Sequence, residues 1–380
     1  MLLTADAVAT GRELLRPGWI EVSGALLSAV GAGVPPRAAD RALGPVMVVP
    51  GFVDTHFHGG GGANFTAADP AQTSVAVAMH ATHGTTTAVA SLVTADAGEL
   101  LRQVTGLAAD ARAGVIAGIH LEGPWISAQR CGAHDPALMR DPDPAEIDRL
   151  LAAGDGAIRM VTIAPERDGA MRAIAQFVDA GVVVAVGHTE ASYDQTRAAI
   201  DAGATVGTHL FNAMRPIHHR EPGPIIALLE DPRVTVEIID DGVHVHPALY
   251  RHVCRSAGMD RVSLITDAMA AAGMSDGPYT LGALTVDVVD GVATIAGTDT
   301  IAGSTATMDR VFRFAVENSG LPRDEALKQA VRQASINPAR ALGLPSDGLA
   351  VGGSADLVVL DDQLAVSGVV RGGAWLVDPV

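Results

Sequence analysis

Short runs of apolar, mostly β-branched residues alternate along most of this chain with longer Ala- and Leu-rich stretches. Runs that are apolar nearly throughout are typical of strands buried on both faces of a parallel sheet. Several of the longer stretches begin at Asp or Ser and end near Gly, as capped helices do. The predicted strands are Val46–Val53, Thr85–Val93, Val115–Leu121, Ile158–Ala164, Val182–Val186, Ala204–Thr208, Val234–Ile239 and Arg261–Thr266. The clearest predicted helices are Asp69–His83, Asp143–Ala153, Asp168–Ala180 and Ser192–Ala202.

This alternation favours an α/β fold, a closed (β/α)8 barrel of the TIM type. An open, doubly wound sheet is the alternative, and it predicts a G-x-G-x-x-G phosphate loop after its first strand. The first strand here is followed by four consecutive glycines, Gly59 to Gly62, which lack that spacing. The barrel is therefore the favoured prediction.

The two ends of the chain have short strands and turns instead. We expect residues 1–47 and 345–380 to pair into one small β-sandwich domain, with residues 48–344 forming the barrel. Residues 279–296 have the alternation of a β-hairpin that turns at Asp290–Gly291. Two further helices are predicted, at about 305–319 and 323–342.

Composition narrows the classes of function. The chain has 380 residues, a formal net charge of −17 and 3% aromatic residues, so we expect no nucleic-acid partner. With 48% hydrophobic residues the chain is not disordered, and no apolar run reaches the roughly 18 residues of a membrane span. The N-terminus does not resemble a signal peptide, and two cysteines are too few for a disulfide framework. We therefore expect a cytoplasmic protein.

Side chains that metals prefer follow five of the eight predicted strands. In a (β/α)8 barrel the C-terminal strand ends and the loops after them form the active site. Imidazole and carboxylate groups are ligands for zinc and for ferrous iron. Each residue alone fits a loop or a helix cap, but their convergence on one rim predicts a metal site. The residues are His56, His58, Glu122, His188, His209 and Asp267.

The segments around these residues resemble a known family. PGFVDTHFHG at 50–59 is similar to the opening signature of the amidohydrolase superfamily, and GSADLVVL at 353–360 fits its terminal β domain. HLEGP at 120–124, HLFNAM at 209–214 and LITDA at 264–268 resemble the N-acetylglucosamine-6-phosphate deacetylase family in particular. The resemblance spans nearly the whole chain. It implies metal-dependent hydrolysis of the acetamide of N-acetyl-D-glucosamine 6-phosphate to D-glucosamine 6-phosphate and acetate, in amino sugar catabolism or cell-wall recycling.

The resemblance also implies a metal content. Glu122, His188 and His209 match the principal metal site of the family, while His56 and His58 match the second-metal ligands of its two-metal members. One or two divalent transition metals per subunit are implied, zinc before iron, cobalt, manganese or cadmium. Glu122 is expected to bridge the two metals, with Asp267 beside the second.

A carboxylated lysine bridges the metals in many other amidohydrolases. The only lysine of this chain, Lys328, lies in a late predicted helix. The dihydroorotase-like and urease-like types are therefore disfavoured.

Catalytic and substrate-binding roles are implied in the same way. Asp267 matches the general base that transfers a proton from water to the amine. His244 matches the histidine that polarises the substrate carbonyl. Cys131 is a hypothesis from its position alone: it lies in the loop 125–135 after the third strand and is expected to reach the bound sugar when that loop closes as a mobile lid, the alternative being a small loop residue without a role. The other residues matched to binding of the sugar phosphate are Ala133, His134, Asn212, Ala213, Arg220, Ile301, Ala302, Gly303 and Ser304.

The family is typically a homodimer, in which the arginine that matches Arg220 reaches the site of the neighbouring subunit. His219 is a second candidate for that contact. His80, His83 and His252 lie in helical stretches and are expected to be structural.

Two other functions remain open at this stage. One is another amidohydrolase activity, that of a deaminase or an acyl-amino-acid hydrolase. The predicted contact of Arg220 with a phosphate disfavours it. The other is an inactive barrel that serves as a binding subunit. Such a chain loses metal ligands, whereas all six candidates are present here.

Overall fold

A parallel eight-stranded sheet forms the centre of the molecule in the computed structural model, which describes residues 1–379. Val380, the last residue of the predicted terminal segment, lies outside the described residues. The order of the eight strands in the sheet is the same as their order along the chain. They are β1 (Phe52–Phe57), β2 (Thr85–Leu92), β3 (Gly118–Glu122), β4 (Ile158–Ile163), β5 (Val183–Val186), β6 (Ala204–Gly207), β7 (Thr235–Ile238) and β8 (Val262–Leu264).

The first and last strands meet and close the barrel. The Asp267 amide donates to the His56 carbonyl at 2.8 Å, and the His58 amide donates to the Ala268 carbonyl at 2.7 Å. Below them, the Thr266 hydroxyl donates to the buried Asp54 carboxylate at 2.6 Å. The predicted closed barrel is confirmed, and the open sheet is excluded.

An α-helix follows each barrel strand, as the sequence pattern predicts. Asp69, Asp143 and Ser192 cap three of these helices with their side chains. Among residues 1–379 no helix combines the length and the apolar character needed to cross a membrane. The eight helices are Pro70–Thr82, Ala97–Arg112, Pro144–Gly154, Ala170–Asp179, Tyr193–Asp201, Gly223–Glu230, Pro247–Ala257 and Met308–Asn318.

The predicted helix at 323–342 is divided into three pieces. An α-helix at Arg323–Val331 runs into a π-helical turn at Arg332–Ile336 and then into a short helix at Asn337–Ala341. Three short 3-10 helices lie in loops, at Phe65–Ala67, Ala128–Arg130 and Pro136–Leu138.

Both chain termini contribute to one β-sandwich, as predicted. Leu357–Leu360 pairs antiparallel with Met47–Pro50 at the centre of a six-stranded sheet. Leu3, Ile20, Val48 and other apolar side chains fill the space between the two terminal sheets. The six-stranded sheet has the order Ala374–Val377, Val366–Arg371, Leu357–Leu360, Met47–Pro50, Ala7–Ala9, Leu14–Leu15, and the four-stranded sheet the order Leu26–Ala32, Gly18–Ser23, Leu2–Ala5, Arg41–Ala42.

The predicted strand Val46–Val53 is wrong as a single element. Its first part, Met47–Pro50, belongs to the terminal sheet, and β1 begins only at Phe52. Pro50 has no N–H to continue a ladder, and the Gly51 amide bonds to the Asp356 carbonyl at 2.9 Å. We place the domain boundary at Gly51 rather than at residue 47.

The inserted β segment has three strands rather than two. Gly277–Leu281 pairs with Leu284–Val289, which turns at Asp290–Gly291 into Val292–Ile295. The predicted turn is confirmed, but the first strand was missed. A two-stranded ribbon, Gly59–Gly60 with Ala63–Asn64, lies after β1.

Candidate metal centre and substrate pocket

The six predicted metal ligands meet in one buried cluster at the C-terminal ends of the barrel strands. Glu122 is at its centre. One oxygen, Oε1, lies 3.0 Å from His209 Nε2 and 3.1 Å from His188 Nε2. The other, Oε2, lies 3.1 Å from His58 Nε2. A single carboxylate therefore contacts two groups of histidines, which is the arrangement a bridging ligand requires.

The cluster divides into two sites that share Glu122. We call Glu122, His188 and His209 the His188 site, in which the two Nε2 atoms are 3.0 Å apart. We call His56, His58, Glu122 and Asp267 the His56 site. In the His56 site, Asp267 Oδ1 lies 3.1 Å from His58 Nε2 and 3.5 Å from His56 Nε2.

Hydrogen bonds on the far side of three imidazoles fix which nitrogen faces the cluster. The Nδ1–H of His58 donates to the Ser91 carbonyl at 3.2 Å, and that of His188 donates to the Arg130 carbonyl at 2.9 Å. His56 Nδ1 lies 3.4 Å from Glu237 Oε2. Because these partners only accept, each Nε2 carries a free lone pair towards the cluster, and His56 Nε2 is buried without a hydrogen-bond partner. This donor set fits a divalent transition metal.

His134 lies against the same cluster but has the opposite tautomer. Its Nε2 is 3.3 Å from Glu122 Oε2, which on distance alone would suggest a ligand. Its Nδ1, however, accepts the backbone N–H of Thr94 at 3.2 Å. Burial lowers the pKa of His134 to about 4, so the ring is neutral and Nε2 carries its hydrogen. His134 is therefore a donor, directed at the Glu122 carboxylate beside the pocket, and its contact with substrate stays a prediction.

Three of the cluster residues have strained backbone. His188, His209 and Asp267 have φ values of 47°, 28° and 50°, in the left-handed region that residues with a side chain seldom adopt. Such strain concentrates at functional sites, where the surrounding structure holds it in place. Here the turn directly after each strand directs the side chain into the barrel mouth.

A pocket of about 330 Å³ opens above the cluster. Asp267 is the most exposed of the cluster residues, with 12% of its side chain accessible, whereas His56 is fully covered. His244 faces the same pocket from the loop after β7, and its Nδ1 donates to Asp241 Oδ2 at 2.8 Å. Burial lowers the pKa of His244, but the hydrogen bond and charge of Asp241 outweigh it, so the pKa lies above its ordinary value.

The substrate-binding residues predicted from the sequence are only partly brought together. Ala133, His134, Asn212, Ala213, His244, Ile301 and Gly303 line the pocket. Ala302 and Ser304 alternate with them and face away: Ala302 packs in an apolar cluster, and the Ser304 hydroxyl donates to the Thr266 carbonyl. Cys131 and Arg220 are also outside the lining of this pocket. Arg220 lies in an exposed loop beside His219, 2.7 Å from its Nε2.

The amidohydrolase family model matches residues 47–376. The chain belongs to the amidohydrolase family.

Its relatives narrow the family further. This amidohydrolase is 37% identical over 367 residues to the N-acetylgalactosamine-6-phosphate deacetylase of Escherichia coli O157:H7, covering 93% of this chain and 95% of the relative. It is 37% identical over 331 residues to the N-acetylglucosamine-6-phosphate deacetylase of Vibrio furnissii, covering 85% and 81%.

A solved structure is more similar still. It is a mutant N-acetyl-D-glucosamine-6-phosphate deacetylase of Mycobacterium smegmatis in complex with N-acetyl-D-glucosamine-6-phosphate. The identity is 70%, the TM-score 0.99, and the coverage 100% of this chain and 99% of that one.

The loop after β3 of this amidohydrolase is tied down along its length rather than free. The Ser127 amide donates to the His188 carbonyl at 2.9 Å, and Arg130 forms an ion pair with Glu190. The Arg130 carbonyl accepts from His188. Gly132 closes the loop with φ of 55°, and a side chain there would lie 3.1 Å from the His188 ring. In this conformation the loop already covers the His188 site.

Several residues of the site were missed in the sequence. Asp299 and Thr300 line the pocket beside Ile301, in a turn with no recognisable motif. Glu237 lies beneath His56. Glu237 did carry a signal, because it is the only charged residue in the otherwise apolar strand Val234–Ile239.

Proposed function

We propose that this amidohydrolase hydrolyses the acetamide of N-acetyl-D-glucosamine 6-phosphate, giving D-glucosamine 6-phosphate and acetate. The observation that carries the proposal is the set of imidazole Nε2 atoms directed at Glu122 and Asp267 beneath a pocket of about 330 Å³. The named relatives support the choice of substrate. In such a centre, bound metal lowers the pKa of its water towards ~7 and polarises the carbonyl.

The ligands we propose are Glu122, His188 and His209 for one metal and His56, His58, Glu122 and Asp267 for a second. Zinc suits this mixture of imidazole and carboxylate groups. Iron, cobalt, manganese and cadmium remain alternatives.

Two residues act on the reacting amide in this proposal. Asp267 lines the pocket, and its carboxylate is the group placed to take a proton from water and give it to the departing amine. His244, in its doubly protonated form, donates from Nε2 to the carbonyl oxygen, where negative charge develops. His134 donates from its protonated Nε2 to the substrate and keeps it in register.

Recognition of the phosphate is assigned to Arg220. A guanidinium forms two parallel hydrogen bonds with a phosphate, which suits this role. Because Arg220 lies outside the pocket of its own chain, the proposal includes a homodimer in which Arg220, with His219 as a second candidate, reaches the neighbouring site. We place the enzyme in the cytoplasm, in keeping with its two unpaired cysteines.

Acetate release by the purified protein tests the proposal. With N-acetyl-D-glucosamine 6-phosphate we expect one acetate and one primary amine per turnover. N-acetyl-D-galactosamine 6-phosphate is the second substrate to compare, because one relative acts on it by name. Release of neither acetate nor amine from any N-acetylhexosamine phosphate by the metal-loaded protein would contradict the proposal.

Asp267→Asn is the matched variant for this assay. The amide is nearly isosteric but cannot take a proton, so kcat should fall by about 10²- to 10⁴-fold while substrate still binds. A near-normal kcat would remove Asp267 from the proposed mechanism.

A further inference from the structure

A buried carboxylate beneath the His56 site has no role in the chemistry described so far. Glu237 lies in the middle of β7 and is 2% exposed. Its Oε1 accepts the Thr55 hydroxyl at 2.8 Å, and its Oε2 lies 3.4 Å from His56 Nδ1. Both partners come from β1, on the opposite side of β8 from β7.

The buried carboxylate of Glu237 is energetically unfavourable unless it interacts with a partner. Burying an unpaired carboxylate is costly, and removing one partner of a buried pair leaves the other uncompensated. Among residues 1–379, His56 is the one ion-pair partner of Glu237, and no arginine or lysine contacts it. The geometry therefore connects Glu237 to His56 rather than to a separate structural salt bridge.

An irregularity in β1 makes this contact possible. The register with β2 runs from Asp54 opposite Ala88 to Phe57 opposite Ala90, so β1 carries one extra residue between them. Such bulges redirect side chains and recur next to active sites. Here the successive residues Thr55 and His56 both reach the Glu237 carboxylate.

The other imidazoles of the cluster are held differently. His58 and His188 donate their Nδ1–H to backbone carbonyls, and His209 Nδ1 has no partner among the described residues. His56 alone is held by a charged side chain. A carboxylate behind a ligating histidine fixes its tautomer and makes the metal-facing nitrogen more basic.

We infer that Glu237 is the positioning residue of the His56 site, where it keeps the proton of His56 on Nδ1 and directs Nε2 at the second metal. The inference rests on the two-metal centre of the proposed function. Metal binding at the His56 site then depends on Glu237, whereas metal binding at the His188 site does not. Thr55 completes the arrangement by holding the other carboxylate oxygen.

Glu237→Gln tests this with little change of shape. The glutamine has one accepting oxygen and one NH2 group. The Thr55 hydroxyl can pair with either of them, but the negative charge behind His56 is lost in both orientations. If the amide NH2 faces His56, the histidine proton moves to Nε2 and blocks the metal. Removing an outer partner of this kind costs about 10- to 100-fold in metal affinity.

Asp240→Asn is the matched control. Asp240 is an equally buried acid just past the end of the same strand, and neither of its oxygens has a hydrogen-bond partner among the described residues. Each metal-free protein is titrated with Zn²⁺ in competition with a chromophoric chelator, and thermal unfolding is followed in parallel. The readout is the pair of dissociation constants, which does not depend on deacetylase activity.

The expected result for Glu237→Gln is a second equivalent that binds about 10- to 100-fold more weakly, with the first equivalent unchanged and Asp240→Asn like the wild type. Two tight equivalents in Glu237→Gln would overturn the inference. An equal weakening of both equivalents would also overturn it, because Glu237 would then support the barrel rather than His56.

Thr55→Val carries the test if Glu237→Gln does not fold. It removes one hydrogen bond to the carboxylate and should weaken only the second equivalent, whereas unchanged binding overturns the inference. Failure of the proposed function is a separate result. In that case the wild-type protein itself binds no metal or releases no acetate.

Discussion

The Asp241 carboxylate accepts two hydrogen bonds from His244 and a third from the preceding residue, Val243. Its Oδ2 accepts the Nδ1–H of the imidazole at 2.8 Å, and its Oδ1 accepts the backbone N–H groups of Val243 and His244, each at 2.9 Å. Both side chains are more than nine-tenths covered. The loop that carries His244 and the ring itself are thus fixed by one side chain, with Nε2 left for the pocket.

Asp241→Asn should therefore lower kcat by about 10²-fold while changing KM much less. Asparagine has one accepting oxygen, so either the loop amides or the imidazole loses its partner. Steady-state kinetics with N-acetyl-D-glucosamine 6-phosphate checks this. His244→Asn in the same assay should be at least as impaired, and full activity of Asp241→Asn would show that His244 needs no such support.

Arg220→Ala should raise KM for the phosphorylated sugar far more than for unphosphorylated N-acetylglucosamine. A hydrogen bond between charged groups contributes about 1.5–3 kcal/mol, which corresponds to about 10- to 150-fold. An equal effect on both sugars would exclude phosphate recognition.

Mixed dimers of Arg220→Ala and Asp267→Asn chains test whether Arg220 acts on the neighbouring site. Each mixed dimer should regain one working site, because one pocket then has an intact Asp267 and receives an intact Arg220. Absence of this rescue would place the arginine in the pocket of its own chain.

Asp240 should make the protein less stable as the pH rises. Burial and the nearby Asp241 charge raise the pKa of Asp240 to about 8 in the folded state, from an ordinary value of 3.8. Between about pH 4 and 8 the unfolded chain releases this proton while the folded chain keeps it, so stability is lost over that window. Below it both states are protonated and the penalty is absent.

Asp240→Asn removes that penalty. Its free energy of unfolding should exceed that of the wild type by roughly 2–5 kcal/mol near pH 8, and the difference should vanish near pH 4. Chemical denaturation at several pH values measures it. A constant difference across this range would show that Asp240 does not titrate as described.

Cys131→Ser should alter KM or kcat, whereas Cys254→Ser should alter neither. Cys131 directly precedes the pocket-lining residues Gly132 to His134, so a change at the thiol acts next to the pocket. Cys254 is away from the mouth, accepts a hydrogen bond from Gln333, and burial raises its pKa to about 11. A thiol reagent should inactivate the free enzyme, and saturating substrate should protect it. If Cys131→Ser leaves KM and kcat unchanged and thiol modification leaves activity intact, the Cys131 thiol has no role in catalysis.

The barrel was predictable from the sequence because its eight buried strands are visible as short apolar runs. The clustering of the six proposed ligands was predictable because they lie at or directly after the ends of those runs. The single strand predicted at Val46–Val53 was wrong because the apolar run continues through Pro50, whereas the strand of the terminal sheet ends there. The first strand of the insertion was missed because it begins with Gly277 and Pro278, a pair that is typical of turns.

The histidine tautomers and the hydrogen bonds that hold the loops could not be predicted from the sequence. The choice between His134 as ligand and as donor depends on the backbone N–H of Thr94, which is forty residues away along the chain. The left-handed backbone of His188 and Asp267 has no local signature either, because the surrounding barrel imposes it. Ala302 and Ser304 share a segment with pocket residues, and only the alternation of the folded chain separates them.

Removal and return of metal tests the central claim most directly. Protein stripped by a chelator should release no acetate from N-acetyl-D-glucosamine 6-phosphate, and stepwise addition of Zn²⁺ should restore activity with up to two equivalents bound per chain. His56→Asn combined with His58→Asn should limit binding to one equivalent. Full acetate release by protein shown by metal analysis to contain no transition metal would contradict the account.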